Sequence, residues 1–185
     1  ILEVIEDNAV DFIKLTPSHL SLLNDKALKD SRIKCMIVGG EDFKMNLALQ
    51  IKSIFPAALK IYNEYGPTEA TVGCIVHQLE VAKDRAKTSV PIGVPLNGMQ
   101  AYILDQQLNP VPRGVVGELY VSGVGLATAY WKKAALTAEK FISHPFLHDA
   151  KMYQTGDLAK MNAAGQLEYL GRRDEQVKIG GIRVE

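Results

Sequence analysis

Apolar residues recur at two different periods along this chain, and the change from one to the other divides it. Leu20, Leu23 and Ala27 fall at helical spacing after Thr16-Pro17, which reads as an N-cap with proline at the first helical position. Residues 32–38 follow as a strand, and the run Cys35-Met36-Ile37-Val38 ending at Gly39-Gly40 has the pattern of a strand buried on both faces. Leu47, Ile51, Ile54 and Phe55 share one face of a second helix stopped by Pro56, and 59–62 resumes as a strand. Helix, strand, helix, strand predicts one edge of an α/β layer. After about residue 88 the helical period gives way to short alternating runs between turn residues. Strands are predicted at 99–104, 117–122, 156–160, 166–170 and 176–179, with turns at Asn109-Pro110, Pro112-Arg113-Gly114 and Ala164-Gly165 and one helix over 133–141. The fold class expected is α/β, an α/β layer followed by a small, mostly antiparallel β-barrel.

Charge narrows the range of partners. Lysine and arginine total 21 and aspartate and glutamate total 21 in 185 residues, so the formal charge is zero. Neither nucleic acid nor a membrane is an expected partner, and no uncharged apolar run reaches membrane-spanning length. Cys35 and Cys74 lie 39 apart without a Cys-x-x-Cys pattern, which fits small apolar residues in a reducing, cytoplasmic setting. The chain opens on Ile-Leu-Glu-Val-Ile without a signal-peptide pattern and reads as a piece of something longer. His144 and His148 are four apart, but Pro145 spoils helical placement and no carboxylate completes a metal site. Tyr130 and Trp131 are expected to pack in the β region.

Three polar segments can carry chemistry. Asn63-Glu64-Tyr65-Gly66-Pro67-Thr68-Glu69 directly follows a strand, where the mouth of an α/β sheet binds ligands. Thr68 offers a hydroxyl to a phosphate oxygen, Glu69 a hard carboxylate oxygen to magnesium, and Tyr65 a ring for a flat base. Tyr153-Gln154-Thr155-Gly156-Asp157 presents a carboxylate able to accept from both hydroxyls of a ribose diol. The third segment, 171–185, is charged and glycine-bearing. Each segment alone is equally an ordinary turn or an exposed hairpin.

In this order, and joined by Gly117-Glu118-Leu119-Tyr120-Val121-Ser122-Gly123 and Leu136-Thr137-Ala138-Glu139-Lys140-Phe141-Ile142, the segments resemble successive core motifs of nonribosomal peptide synthetase adenylation domains. These belong to the acyl-adenylate-forming superfamily, which also holds acyl-CoA ligases and aryl-acid ligases. The resemblance implies ATP-dependent activation of an amino acid as aminoacyl-AMP, with magnesium, for loading onto the phosphopantetheine thiol of a partner carrier domain. It places Thr68 on the phosphates, Glu69 on magnesium, Asn63 and Tyr65 against adenine, Asp157 on the ribose, and Tyr169 and Arg172 near the nucleotide. Gly40, within Gly39-Gly40-Glu41, would floor the space between adenine and substrate. Lys14, Met36, Val38, Glu64, Val72 and Gly73 would line the acyl pocket, and Lys14 with Glu64 implies a polar or charged substrate. The implied organisation is an α/β part over 1–87, a β subdomain over 88–174, and the start of a hinge and small C-terminal subdomain over 175–185, with Asp174 as the hinge. The chain departs from the family at Thr128-Ala129, Gln154 and Gly180, where Arg-Gly, arginine and arginine are usual. No glycine-rich phosphate loop and no C-terminal catalytic lysine fall within it, so this fragment of a large subdomain is expected to be inactive alone. An acyl-CoA or aryl-acid ligase, or a noncatalytic folded fragment, remains the alternative.

Overall fold

The computed structural model describes residues 1–23, 26–173, 177–179 and 182–184. Two compact units emerge, each assembled from separate stretches of chain. The first takes 1–64 and 77–91 with a C-terminal hairpin, and the second takes 65–76 and 92–175. The expected hinge residue Asp174 lies outside the described residues, as do Glu175, Gln176, Gly180, Gly181 and Glu185.

The first unit runs α1 (Leu2–Glu6), β1 (Phe12–Leu15), α2 (Pro17–Ser21), β2 (Cys35–Gly39), α3 (Met45–Ile54) and β3 (Lys60–Tyr65), then returns through the end of β4 (Ile75–Gln78) into α4 (Val81–Asp84). Thr16 caps α2, its hydroxyl accepting the His19 N–H while the His19 ring turns back to the Thr16 N–H, and Pro17 holds the first turn as predicted. The helix ends at Ser21, however, so Leu23 is buried from a turn and Ala27 is exposed. β1, β2 and β3 pair in parallel in that order, with Leu15 beside Val38 beside Asn63 and Lys14 beside Ile37 beside Tyr62.

Side chains alternate across a strand, so these two rows lie on opposite faces. Leu15, Met36, Val38 and Ile61 enter a core with Leu20 of α2 and Met45, Ala48 and Ile51 of α3. Cys35 and Ile37, on the other face, are only half-buried, so β2 is not covered on both sides within this unit. Helices α2 and α3 cover a single face, which the continuous apolar run of β2 could not reveal. Met36 and Val38 are therefore core residues and do not share a face with Lys14 and Glu64, which corrects their placement in one pocket.

The second unit contains β5 (Val94–Pro95), β6 (Met99–Leu104), β7 (Gly117–Gly123), α5 (Ala134–Lys140), β8 (Phe141–Ser143), β9 (Lys151–Met161) and β10 (Leu167–Arg172). Its antiparallel sheet has the order β10-β9-β7-β6, with β8 also beside β9, a half-barrel whose path does not close among the described residues. Two irregularities converge on one place. Glu118 faces Leu158 while Tyr120 faces Gln154, so Thr155, Gly156 and Asp157 together oppose Leu119. On the other side of β9, Tyr169 faces Ala159 and Gly171 faces Leu158, which leaves Leu170 as the extra residue. Bulges of this kind re-aim side chains next to functional sites, and Gly156 supplies the left-handed turn with φ 75°. A final hairpin pairs β11 (Val177–Ile179) with β12 (Ile182–Val184). Among the described residues no helix is long and apolar enough to cross a membrane.

Two expected packing positions need correction. Trp131 is 85% exposed and does not pack in the β region, whereas Tyr130 packs its ring edge-on to Phe141, the centroids 5.4 Å apart. A polar-tipped ring can bury its body while its hydroxyl seeks an acceptor. Cys74 is fully buried, but Cys35 is only partly so, because it faces the open side of β2.

Candidate functional site

The double bulge on β9 holds Asp157 in place from several directions. Thr155 Oγ1 donates to the Leu119 carbonyl at 2.6 Å and accepts the Asp157 N–H at 3.0 Å. Arg172, opposite Asp157 on β10, donates from Nη1 to Asp157 Oδ1 at 2.9 Å and to the Thr155 carbonyl at 3.0 Å. Tyr65, at the end of β3, donates its hydroxyl to Asp157 Oδ2. Burial first, and then the negative Asp157, push the Tyr65 hydroxyl pKa well above its ordinary value, so this donor keeps its proton. The Tyr65 ring tilts against Tyr169 at 6.4 Å between centroids. Tyr65, Asp157, Tyr169 and Arg172, far apart in sequence, thus form one cluster. A carboxylate has about four acceptor positions, and Tyr65 and Arg172 engage different oxygens of Asp157.

The loop after Tyr65 folds tightly upon itself. Cys74 N–H bonds the Tyr65 carbonyl at 3.0 Å and Val72 N–H bonds the Pro67 carbonyl at 3.2 Å. A Cβ on Gly66 would lie 1.9 Å from the Val72 carbonyl oxygen, so only glycine fits there. Thr71 and Val72 both adopt left-handed backbone, φ 58° and 70°, an uncommon conformation for β-branched residues. Between them and Pro67, a 3-10 turn over Thr68–Ala70 exposes Thr68 and buries Glu69. Glu69 Oε1 accepts from the Tyr130 hydroxyl, which lies 3.3 Å from the Tyr153 hydroxyl. Burial, then the bonds to Glu69 and Tyr153, raise the Tyr130 pKa far above the usual phenol value, so it too remains a donor. Sequence reasoning missed Tyr130 as a site residue, because nothing local marks which acceptor a tyrosine will find. Val72 is exposed and Gly73 half-buried in the same loop.

Nearby, Glu118 is buried and receives Gln154 Nε2 on both oxygens, at 3.0 and 3.1 Å, and Arg173 Nη1 at 3.0 Å. Burial and the Glu118 charge push the Tyr120 hydroxyl up to about 12. Gln154 gives Glu118 neutral donors and Arg173 contributes the cation.

The remaining expected residues lie in the first unit. Asn63 is buried and its amide donates to the Val90 and Pro91 carbonyls at 3.0 and 2.9 Å, a tie between β3 and the segment after α4. Gly40 turns the end of β2 with φ 87°. The Lys14 ammonium pairs with Glu64 Oε2, and Glu41 Oε2 accepts both the N–H and hydroxyl of Ser18, at 2.9 and 2.7 Å.

The family model of AMP-binding enzymes matches residues 1–131. The chain is 52% identical over 185 residues to bacitracin synthase 3 of Bacillus licheniformis, covering 100% of this chain and 3% of that protein. Tyrocidine synthase 3 of Brevibacillus parabrevis is 49% identical over 185 residues, 100% of this chain and 3% of the relative. The chain therefore spans less than a tenth of the length of these relatives. An NRPS protein containing adenylation and PCP domains, bound to a vinylsulfonamide inhibitor, superposes with a TM-score of 0.89 at 28% identity, over 98% of this chain and 32% of that one. A Vibrio cholerae adenylation domain in complex with glycyl-adenosine-5'-phosphate gives 0.86 at 28% identity, over 99% of this chain and 35% of that one.

Proposed function

The chain belongs to the AMP-binding enzyme family, and from that premise we propose that it is a segment of an adenylation domain that activates an amino acid as aminoacyl-AMP in nonribosomal peptide synthesis. The observation that carries this reading is the convergence of Tyr65, Asp157, Tyr169 and Arg172 beside the buried Glu69 in one unit. In this reading Asp157 accepts the two ribose hydroxyls, and Tyr65 and Arg172 fix its carboxylate so that little reorganisation accompanies binding. Tyr169 and the Tyr65 ring offer the apolar surface for the base. The exposed hydroxyl of Thr68 binds a phosphate oxygen.

Glu69 with Thr68 is a hard-oxygen donor set of the kind magnesium takes together with phosphates. Magnesium, when bound, offsets the repulsion between the substrate carboxylate and the α-phosphate. Tyr130 holds the Glu69 carboxylate in one orientation through its permanently protonated hydroxyl. The amino acid's carboxylate displaces pyrophosphate from the α-phosphorus, and the phosphopantetheine thiol of a carrier domain, losing its proton, then takes the acyl group and releases AMP. Lys14, Glu64 and Gly40 of the first unit are the residues assigned to the acyl group. Two relatives are bacitracin and tyrocidine synthases by name and one superposed domain holds a glycyl adenylate, which favours an amino acid over other acids.

The test is amino-acid-dependent pyrophosphate exchange by the full-length protein that carries this segment. Asp157→Ala is expected to raise the ATP KM by roughly 10- to 150-fold, the effect of losing hydrogen bonds to a charged group. Exchange that depends on a plain carboxylic acid and ignores amino acids would remove the reading.

A further inference from the structure

Asn97 and Gly98 form the one Asn-Gly dipeptide in the chain, and they sit at the tip of the turn joining β5 to β6. The Met99 N–H bonds the Leu96 carbonyl at 2.9 Å across this turn, and of its two central residues only Gly98 has a positive φ, 81°. That combination is a type II turn, in which the Gly98 N–H takes no part in the closing bond. Both residues are exposed. The Asn97 side chain is therefore clear of the core, and Gly98 has no Cβ to shield its own nitrogen. The carbonyl side of Gly98, in contrast, is tightly fitted. Its oxygen accepts the Val124 N–H at 3.0 Å, and a Cβ on Gly123 would lie 2.2 Å from that oxygen. A Cβ on Gly98 would lie 2.8 Å from Val124 Cγ2. The segment gripped in this way leads to the candidate site, because the Gly125 N–H meets Met99 Sδ at 3.2 Å and the Ala127 N–H bonds the Glu69 carbonyl at 2.8 Å.

We propose that Asn97-Gly98 is a modification site, where a succinimide forms spontaneously and opens to isoaspartate, and that the isoaspartyl form loosens the grip of 123–127 on Glu69. The Gly98 nitrogen, giving its proton to solvent, attacks Asn97 Cγ. A C–N bond forms, the Cγ–Nδ2 bond breaks, and ammonia leaves with a proton taken from solvent. Water then adds at either carbonyl of the ring. Cleavage between Cγ and the Gly98 nitrogen gives aspartate, whereas cleavage between the backbone carbonyl carbon and that nitrogen leaves Gly98 joined through Cγ. No oxidant or reductant takes part. The second product places one more carbon in the main chain, about 1.5 Å of added length. The turn has little slack to absorb it, since Gly98 is held between the Leu96–Met99 bond on one side and Gly123 and Val124 on the other. A displacement of that size carries the Gly98 carbonyl out of the roughly 2.7–3.2 Å range in which it holds the Val124 N–H. Aspartate in the normal linkage changes only the charge and leaves this path intact.

The full-length protein that carries this segment is kept in mildly alkaline buffer and sampled over time. Peptide mapping is expected to show the Asn97 fragment gaining about 1 Da and resolving into two isomers, of which the isoaspartyl one accepts a methyl group from an isoaspartate-specific methyltransferase. Asn97→Gln, whose longer side chain closes the ring far more slowly, should show neither change. Deuterium uptake by the peptide spanning 123–127 should be faster in the isoaspartyl fraction than in aged Asn97→Gln or freshly prepared Asn97→Asp. In pyrophosphate exchange the magnesium concentration for half-maximal rate should rise by roughly 10- to 100-fold in that fraction alone, the effect of loosening a support behind a metal ligand. An Asn97 fragment that keeps its mass would overturn the site. Conversion to isoaspartate with deuterium uptake over 123–127 equal to that of aged Asn97→Gln would overturn the coupling to Glu69. Both of these readouts are independent of substrate, so they stand apart from any failure of the amino-acid-activating reading.

Discussion

Individual side chains in this molecule draw their roles from neighbours distant in sequence. Asp157 was legible as a chemistry-bearing residue because a carboxylate beside glycine stands out between apolar stretches. Its partners Tyr65 and Arg172 lie 92 and 15 residues away, and their arrival depends on bulges that no local pattern encodes. Tyr65→Phe is expected to lower unfolding stability by about 1.5–3 kcal/mol, since a buried carboxylate loses a donor. Chemical denaturation of the variant checks this, and an unchanged midpoint would detach Tyr65 from Asp157. Glu69→Gln should lower turnover and make activity more dependent on magnesium concentration, which a metal titration of the exchange rate reads directly. The resemblance set Lys14 and Glu64 beside Met36 and Val38 in one pocket, but the strand register that sets Met36 and Val38 on the opposite face was not legible, because both faces of β2 are written in apolar residues.

At the scale of elements, period and turn chemistry located most segments well. The predicted strand at 99–104 coincides with β6, and the predicted helix at 133–141 brackets α5. Short pieces such as β1, β5 and β8 escaped, since two to four residues give no period to read. The Gly66–Val72 loop shows how a motif can be recognised while its mechanics stay hidden. Gly66→Ala forces a methyl onto the Val72 carbonyl and should cost about 1–3 kcal/mol or more, with loss of exchange activity. Val72→Gly should act in the opposite sense on stability, relieving left-handed strain of about 1 kcal/mol. Thermal melts of the two variants moving in the same direction would refute the strain assignment.

The whole molecule couples its stability to pH through a buried pair in the first unit. His77 Nε2 and Asp84 Oδ2 are 2.8 Å apart, both nearly inaccessible, with Lys87 3.5 Å from the other oxygen. Burial alone would raise the Asp84 pKa, but hydrogen bonds from His77 and the Glu80 N–H, aided by the positive charges, hold it below its ordinary value. A depressed folded-state pKa contributes stability that is present above about pH 4 and lost as pH falls through the folded value. Acid titration of folding should therefore be shallower below about pH 4 for Asp84→Asn than for the parent, and parallel curves would exclude the coupling. The change of periodicity near residue 88 was legible in the sequence, but the alternation of the chain between units was not, because it depends on which distant segments pack together. The chain leaves the first unit after Glu64, returns at His77, and leaves again after Pro91. That threading bears on how such proteins recombine. A genetic crossover falling between residues 65 and 90 joins two parents inside both units at once, whereas a crossover at 64 leaves the second unit of single parentage. The ties it then cuts within the first unit include the Leu79 N–H to Ile61, the Val90 N–H to Phe43 and the Asn63 amide to Val90 and Pro91, all ending on carbonyls that any parent's backbone provides. Chimeras joined at 64 should express as folded protein more often than chimeras joined at 80, so residues 1–64 can be inherited as one portable block.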